Sequence, residues 1–490
     1  MKITSPRIKA SHLTPNEEVQ VRCHTALELK DKGDYDGAKD ALRPRWKRLG
    51  ERPDLSGLYP SVAAEVLLCT GILSCWLGSK GQIREAQEHA RDLISESLEF
   101  YESEGDVLKV ASARVELAYC YWCEGSLDEA RVMFRESLQR LTVEGNTRAR
   151  AILGLAVVEW SANEYSNAFE ILKNNEGLFN KISNQATKAA YHNQVAIVLR
   201  HFAKTEKRAQ HLESAIKEFE QAEIYLKQIR NNGFRAKLKN NIGLILLDLK
   251  RFKEAHKYFN EARRLSALVR DRVQTAQIDE SRAQLLIAEN KLKEAETVAG
   301  GAVSVLERSG QQCLLAEVLI THGTILARLK KLERAQFTFQ RAIEVAHQVG
   351  ALNKAGLAAL TMIEELHDLS PEILRSAYDR ASEWLAKSQS QDISQRLNTV
   401  ARKVVMSVSG EVKAEAATEV LLNKPCDLQR EVLKYEGSLI KQALSKVNGS
   451  VTRAAELLNL SYQGLAYIIG TRHKDLLKER SPIRRRSRRD

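Results

Sequence analysis

The sequence predicts an all-α protein, with a long superhelical array of paired helices followed by a small helical bundle. Three observations carry this expectation. No proline lies between Pro60 and Pro371. Small residues recur with a forty-residue period through much of the same stretch. Beyond residue 406 that rhythm stops, and from Asp427 the charge turns basic.

The chain has 490 residues and only eight prolines. A proline inside a helix costs about 3 kcal/mol, so a long proline-free stretch points to helices throughout. Charged residues make up 28% and hydrophobic ones 43%, which is the balance of a folding chain. The start, MKITSPRIKASHLTP, has no apolar core of the kind an export signal needs. The longest uncharged apolar run, Val66 to Ser79, is fourteen residues long. That is too short to span a bilayer, so it reads as a buried helix. Seven cysteines, odd in number and thinly scattered, do not form a disulfide framework. These features place the chain in the cytoplasm with no membrane partner.

The array shows itself in three aligned segments: Gly243 to Ala255, Ala283 to Ala295, and Gly323 to Ala335. Each sets a small residue twelve positions before an alanine, and a third small residue follows at Ala262, Ala302 or Ala342. Weaker copies stand at Ala26/Ala38, Ser74/Ala86, Ala118/Ala130 and Ala156/Ala168, with a looser one at Ala196/Ala215. A degenerate last unit surrounds Ala377 and Ala381. Small residues facing each other let two antiparallel helices approach to about 8–10 Å. Leu247, Phe252, Tyr258 and Phe259 are the large residues expected to fill the space left.

This rhythm resembles the tetratricopeptide repeat, over residues 17–406. The resemblance implies a superhelix whose first helices line a concave surface for a protein or peptide ligand. Carried over by offset, the peptide-binding positions would include Asn193, Arg200, Lys237, Asn240, Asn241 and Gln284, with Gln277, Glu280 and Glu317 beside them.

Residues 1–16 read as a tail and 407–426 as a linker. From Asp427 to the end there are 14 Lys+Arg and 7 Asp+Glu, and residues 478–490 form a basic tail. Val451 to Gly470 reads as two short helices joined by a tight turn. Ala454 and Ala455 allow a close crossing, and Leu458, Leu460, Leu465 and Ile468 form the apolar wedge. Asn459 suits a left-handed turn, and Ser461 suits the start of the second helix. Before them, Tyr435 to Val447 puts Leu439, Ile440, Ala443, Leu444 and Val447 on one face.

The segment LIKQAL, then NGSVTRAAELLNLS, then a further helix resembles the Fis-type helix-turn-helix domain, here residues 427–477. The resemblance implies a bacterial DNA reader that works as a homodimer on double-stranded DNA. Its second helix would enter the major groove with Ser461, Tyr462, Gln463, Ala466 and Tyr467 outward. Thr452, Arg453, Arg472, His473 and Lys474 would hold phosphates.

No phosphate-cradling Gly-x-x-x-x-Gly-Lys-Ser/Thr loop, His-Glu-x-x-His or Gly-x-Ser-x-Gly motif occurs. The expectation is therefore a non-enzymatic regulator that needs no cofactor and no metal. Cys120-Tyr-Trp-Cys123, with Cys69 and Cys75 in the previous unit, reads as small residues at a close helix contact. The rival reading is an interaction scaffold whose C-terminal bundle assembles partners and binds no DNA.

Overall fold

The computed structural model describes residues 13–81, 83–203, 208–386, 391–409 and 428–479. The expected basic tail from residue 480, the linker from residue 410 and the first twelve residues lie outside that set. Every regular element among the described residues is helical. The chain divides into two compact units, Met1–Val400 and Ala401–Asp490.

The first unit is a succession of helix pairs. They begin with α1 (Pro15–Asp31) and α2 (Tyr35–Ala41), α3 (Pro60–Gly81) and α4 (Arg84–Ser103), then α5 (Val107–Glu124) and α6 (Leu127–Arg140). Next come α7 (Asn146–Ser161) and α8 (Tyr165–Asn174) with the short α9 (Glu176–Lys181), then α10 (Gln185–Phe202) and α11 (Arg208–Gln228). The regular core of the array follows as α12 (Asn232–Asp248), α13 (Phe252–Leu268), α14 (Arg272–Ala288), α15 (Leu292–Glu307), α16 (Gln312–Arg328) and α17 (Leu332–Gln348). It ends with α18 (Leu352–Glu365) and α19 (Pro371–Leu385), and the boundary between the two units falls within α20 (Gln391–Ser409). Both prolines that bound the proline-free stretch open a helix, α3 and α19, where a missing N–H costs nothing.

The forty-residue period has a backbone counterpart. Lys250, Asn290 and Lys330 take the left-handed conformation within each pair, with φ near 60°. Arg230, Arg270, Gly310 and Gly350 do so between pairs, again forty residues apart. At the crossings the small residues are buried: Ala255, Ala262, Ala295 and Ala335 have no exposed surface. Phe259 lies over Gly243 and Phe339 over Gly323, so close that an added Cβ would meet each ring at 2.5 and 2.8 Å. Phe259 is fully enclosed, while Leu247, Phe252 and Tyr258 are partly buried around it.

Curvature follows from which helices meet. α3 touches α5, α5 touches α7, α7 touches α10, and the contacts resume along α12, α14, α16 and α18. Second helices make no comparable contact with the next second helix among the described residues. First helices therefore crowd the inside of the coil and second helices its outside. The coil turns far enough for its beginning to meet its middle. Asn184, at the start of α10, donates to the Asp31 carboxylate at 3.0 Å, and Asn231, at the start of α12, donates to the Asp31 carbonyl at 2.9 Å.

Ion pairs fix neighbouring pairs in register. The buried Glu223 carboxylate lies 2.6 Å from Lys239 and 3.1 Å from Arg235. Glu116 meets Arg150 at 2.6 Å, and Glu159 meets Arg131 at 2.8 Å. One expectation about α3 needs correcting. The helix starts at Pro60, so its apolar stretch, Pro60–Ser79, is twenty residues and long enough to cross a membrane by length and composition. The six residues Pro60 to Glu65, with Glu65 as their only charge, add what the fourteen-residue count left out. Two thirds of that stretch is buried, and α3 packs on α1 and α4.

The second unit holds α21 (Leu428–Lys446), α22 (Val451–Leu457) and α23 (Tyr462–Thr471), followed by a 3₁₀ turn at Lys474–Glu479. Its core gathers Ile440, Ala443, Leu444, Val451, Ala454, Ala455, Leu465, Ile469 and Leu476.

Candidate functional site

The turn between α22 and α23 is built as its residues dictate. Asn459 has φ of 54°, a left-handed value that Asn tolerates. Ser461 caps α23, its hydroxyl oxygen accepting from the Gly464 N–H at 3.0 Å. Asn448 and Gly449, also left-handed, stop α21 and turn the chain into α22. Two expected core residues face solvent instead: Leu460 is 41% exposed and Leu439 40%. α22 ends at Leu457, so Leu460 lies in the connecting turn. The inner face of α23 is carried by Leu465 and Ile469, four residues apart and both fully buried.

With that face turned in, the opposite side of α23 is open. Ser461, Tyr462, Gln463 and Tyr467 are exposed, Tyr462 to 47% and Tyr467 to 68%, and Ala466 is half-buried. No charged residue occurs in Tyr462–Thr471. The cations stand at the flanks: Arg453 on α22, and Arg472 and Lys474 just past α23, all exposed, as is Thr452. His473 is placed differently. It is 7% exposed, and its Nε2 lies 2.9 Å from Glu436 Oε2. Arg472 reaches the other oxygen of Glu436 at 3.3 Å. The ring of His473 packs so closely on Gly437 that a Cβ there would sit 2.8 Å from its Nδ1. His473 is therefore a strut between α21 and the end of α23, with its ring turned away from the open face. The sequence reading missed its partners Glu436 and Gly437, because the fold alone brings them to a histidine more than thirty residues away.

A stripe on α21 also stays uncovered, with Val432, Tyr435 and Leu439 exposed to 58, 61 and 40%. Their spacing of three and four residues puts them on one side of the helix.

In the array, Asn193, Asn240, Asn241, Gln277, Glu280 and Gln284 are half-buried on first helices. Lys237 and Glu317 are exposed, and Glu317 pairs with Lys354 at 2.6 Å. Arg200 stands 4.0 Å from Asp248. The structure also brings Cys75 and Cys123 together, their sulfurs 3.8 Å apart. Cys120 beside Cys75, and Cys75 beside Cys123, push the two thiols upward, away from ionisation, and burial adds to both.

Residues 434–467 match the family described as bacterial regulatory protein, Fis family, and residues 236–267 match the tetratricopeptide repeat. The chain carries a tetratricopeptide repeat and, towards its C-terminal end, a Fis-type helix-turn-helix domain. Solved structures with a similar course include a Rap protein complexed with competence and sporulation factor. It has 15% identity and a TM-score of 0.46, with 71% of this chain and all of that one covered. A STAND protein with a tetratricopeptide repeat sensor from Pyrococcus horikoshii has 16% identity and a TM-score of 0.47, covering 79% of this chain and 66% of that one. Aspartyl phosphate phosphatase F from Bacillus subtilis has 14% identity and a TM-score of 0.41, with coverage of 76% and 96%. No curated protein sequence matches the chain. The Fis-type match runs from Lys434 in α21 through α22 and the turn to Tyr467 in α23, and it includes Ser461, Tyr462, Gln463 and Tyr467.

Proposed function

We propose that this chain is a non-enzymatic, cytoplasmic transcriptional regulator of bacterial type. Its Fis-type domain binds double-stranded DNA and its repeat array binds a protein or peptide. The observation that carries the DNA reading is the open face of α23. A helix that buries Leu465 and Ile469 offers Ser461, Tyr462, Gln463 and Tyr467 to a major groove, where Gln pairs with adenine edges and apolar groups meet thymine methyls. Arg453, Arg472 and Lys474 flank that face at the places where phosphates pass. Because α23 has no cation of its own, the flanks and the basic sequence beyond residue 479 supply most of the affinity. Base readout then rests on Gln463 and the two tyrosines.

The exposed stripe of Val432, Tyr435 and Leu439 supports a homodimer paired through α21. Two copies related by a two-fold axis would set their α23 helices in successive major grooves, about 34 Å apart. The assay is a fluorescence titration of the full chain against a duplex over a range of salt. A steep fall of affinity with salt supports the proposal. Absence of binding at low salt overturns it and leaves the scaffold reading, in which the α21 stripe only assembles copies.

A further inference from the structure

Several buried or half-buried carboxylates in the array have cations beside them. Glu116 has Arg150, Glu159 has Arg131, and Glu223 has Lys239 and Arg235. Glu280 is different. It sits on α14, in the seam between adjacent first helices, and both of its donors are neutral. Gln284 Nε2 donates at 2.5 Å and Thr321 Oγ1, from α16, donates at 2.7 Å, and both go to the same oxygen, Oε1. No Lys, Arg or His among the described residues lies within ion-pair distance of it. Glu317, whose charge acts on Glu280, pairs with Lys354 at 2.6 Å.

One repeat earlier, the same helix position is Asn240. The hydroxyl that would correspond to Thr321 is Ser281, and Ser281 donates instead to the Gln277 carbonyl at 3.3 Å. The Asn240 side-chain oxygen is left buried and without a donor. Consecutive first helices thus carry two acceptors with unfilled capacity, and an unmet buried acceptor costs about 1–3 kcal/mol.

We propose that Glu280 and Asn240 form a subsite for a cationic residue of an extended peptide. The ammonium or guanidinium group would pair with the free side of the Glu280 carboxylate, and a peptide N–H with Asn240 once its amide turns outward. Helices at neighbouring-repeat spacing are about 8–10 Å apart. Extended chain rises about 3.3 Å per residue, so the two contacts fall about three residues apart along the ligand. This subsite rests on the array's being a peptide binder and adds the charge of the ligand. Thr321 and Gln284 act as positioning residues that hold Oε1 so that the other oxygen stays available.

The test uses the full chain and an array of acetylated, amidated decapeptides of varied sequence, each made once with lysine and once with acetyllysine. Retention about tenfold stronger on lysine peptides, falling to parity in Glu280→Gln, supports the subsite. Glu280→Gln keeps the shape and the Thr321 contact, and its helical circular dichroism must match the parent. Asn240→Ala, a second variant, weakens lysine and acetyllysine peptides alike. Retention that ignores lysine charge, or is unchanged in Glu280→Gln, overturns the subsite and leaves the peptide-binding reading standing. Retention no greater than on a blank membrane overturns both.

Discussion

A single hydrogen atom in place of a side chain decides the spacing of two helices at Gly243. The Phe259 ring occupies the volume any Cβ would need, at 2.5 Å. Gly243→Val overpacks that crossing and lowers stability by about 1–3 kcal/mol in urea unfolding, while Gly300→Val, with nothing within 4 Å, has little effect. Glu280 gives a residue-scale prediction of opposite sign. Burial raises its carboxyl above the ordinary 4.5, and the Glu317 charge adds to that, against the donors Thr321 and Gln284. The folded state holds this proton more tightly than the unfolded one. Its contribution is therefore fully present below the unfolded value and is lost as pH rises through the folded one. At neutral pH the ionised group is a burden on the fold. Glu280→Gln should raise the Tm at pH 7, with the gain shrinking as pH falls toward the ordinary carboxylate range. A lower Tm at pH 7 would show the charge to be structural. These details lie partly beyond sequence reading. The glycine was visible as the small member of a repeated pattern, but a missing cation is a fact about neighbours, and neighbours come from the fold.

At the scale of the element, most of the helix-turn-helix was legible because its chemistry is local. Asn459 as a left-handed turn, Ser461 as a cap and Ala454 and Ala455 as a close crossing all lie within eight consecutive residues, 454–461. The helical wedge was legible only in part. Leu460 and Leu439 looked like core residues by type, and the structure leaves both open; Ile469 took the inner position by its spacing from Leu465. His473 shows the same limit, since its burial depends on Gly437 and Glu436 of another helix. The domain's division of labour can be measured. Arg453→Ala should weaken all duplexes alike and reduce the log–log salt slope by about 0.9, as one phosphate contact is lost. Gln463→Ala should leave the slope alone and change the sequence preference. If the two variants exchange these effects, the assignment of flank to phosphate and α23 to bases is wrong.

For the whole molecule, periodicity in the sequence conveyed the array but not its closure. The forty-residue rhythm of small residues announces which helices pair, and the left-handed Lys250, Asn290 and Lys330 mark where each pair bends. Nothing in that rhythm shows that Asp31 will meet Asn184 and Asn231, because such a meeting depends on the pitch summed over several units. Asp31→Ala removes the carboxylate end of this contact. Amide hydrogen exchange should then quicken at the start of α10 while α16 and α17 keep their rates, and the start of α12, held by the Asp31 carbonyl that alanine retains, should change less. Unchanged exchange at α10 would mean the pitch holds without it.

The same contact changes how the coil answers force. An ordinary stack of helix pairs stretches like an open spring, each neighbour yielding a little. Here the first turn is fastened to a later one by Asn184 and Asn231, so loads up to the strength of two hydrogen bonds meet a stiff loop. Beyond that limit the loop lets go and the coil lengthens in a single step, which gives the protein two mechanical regimes.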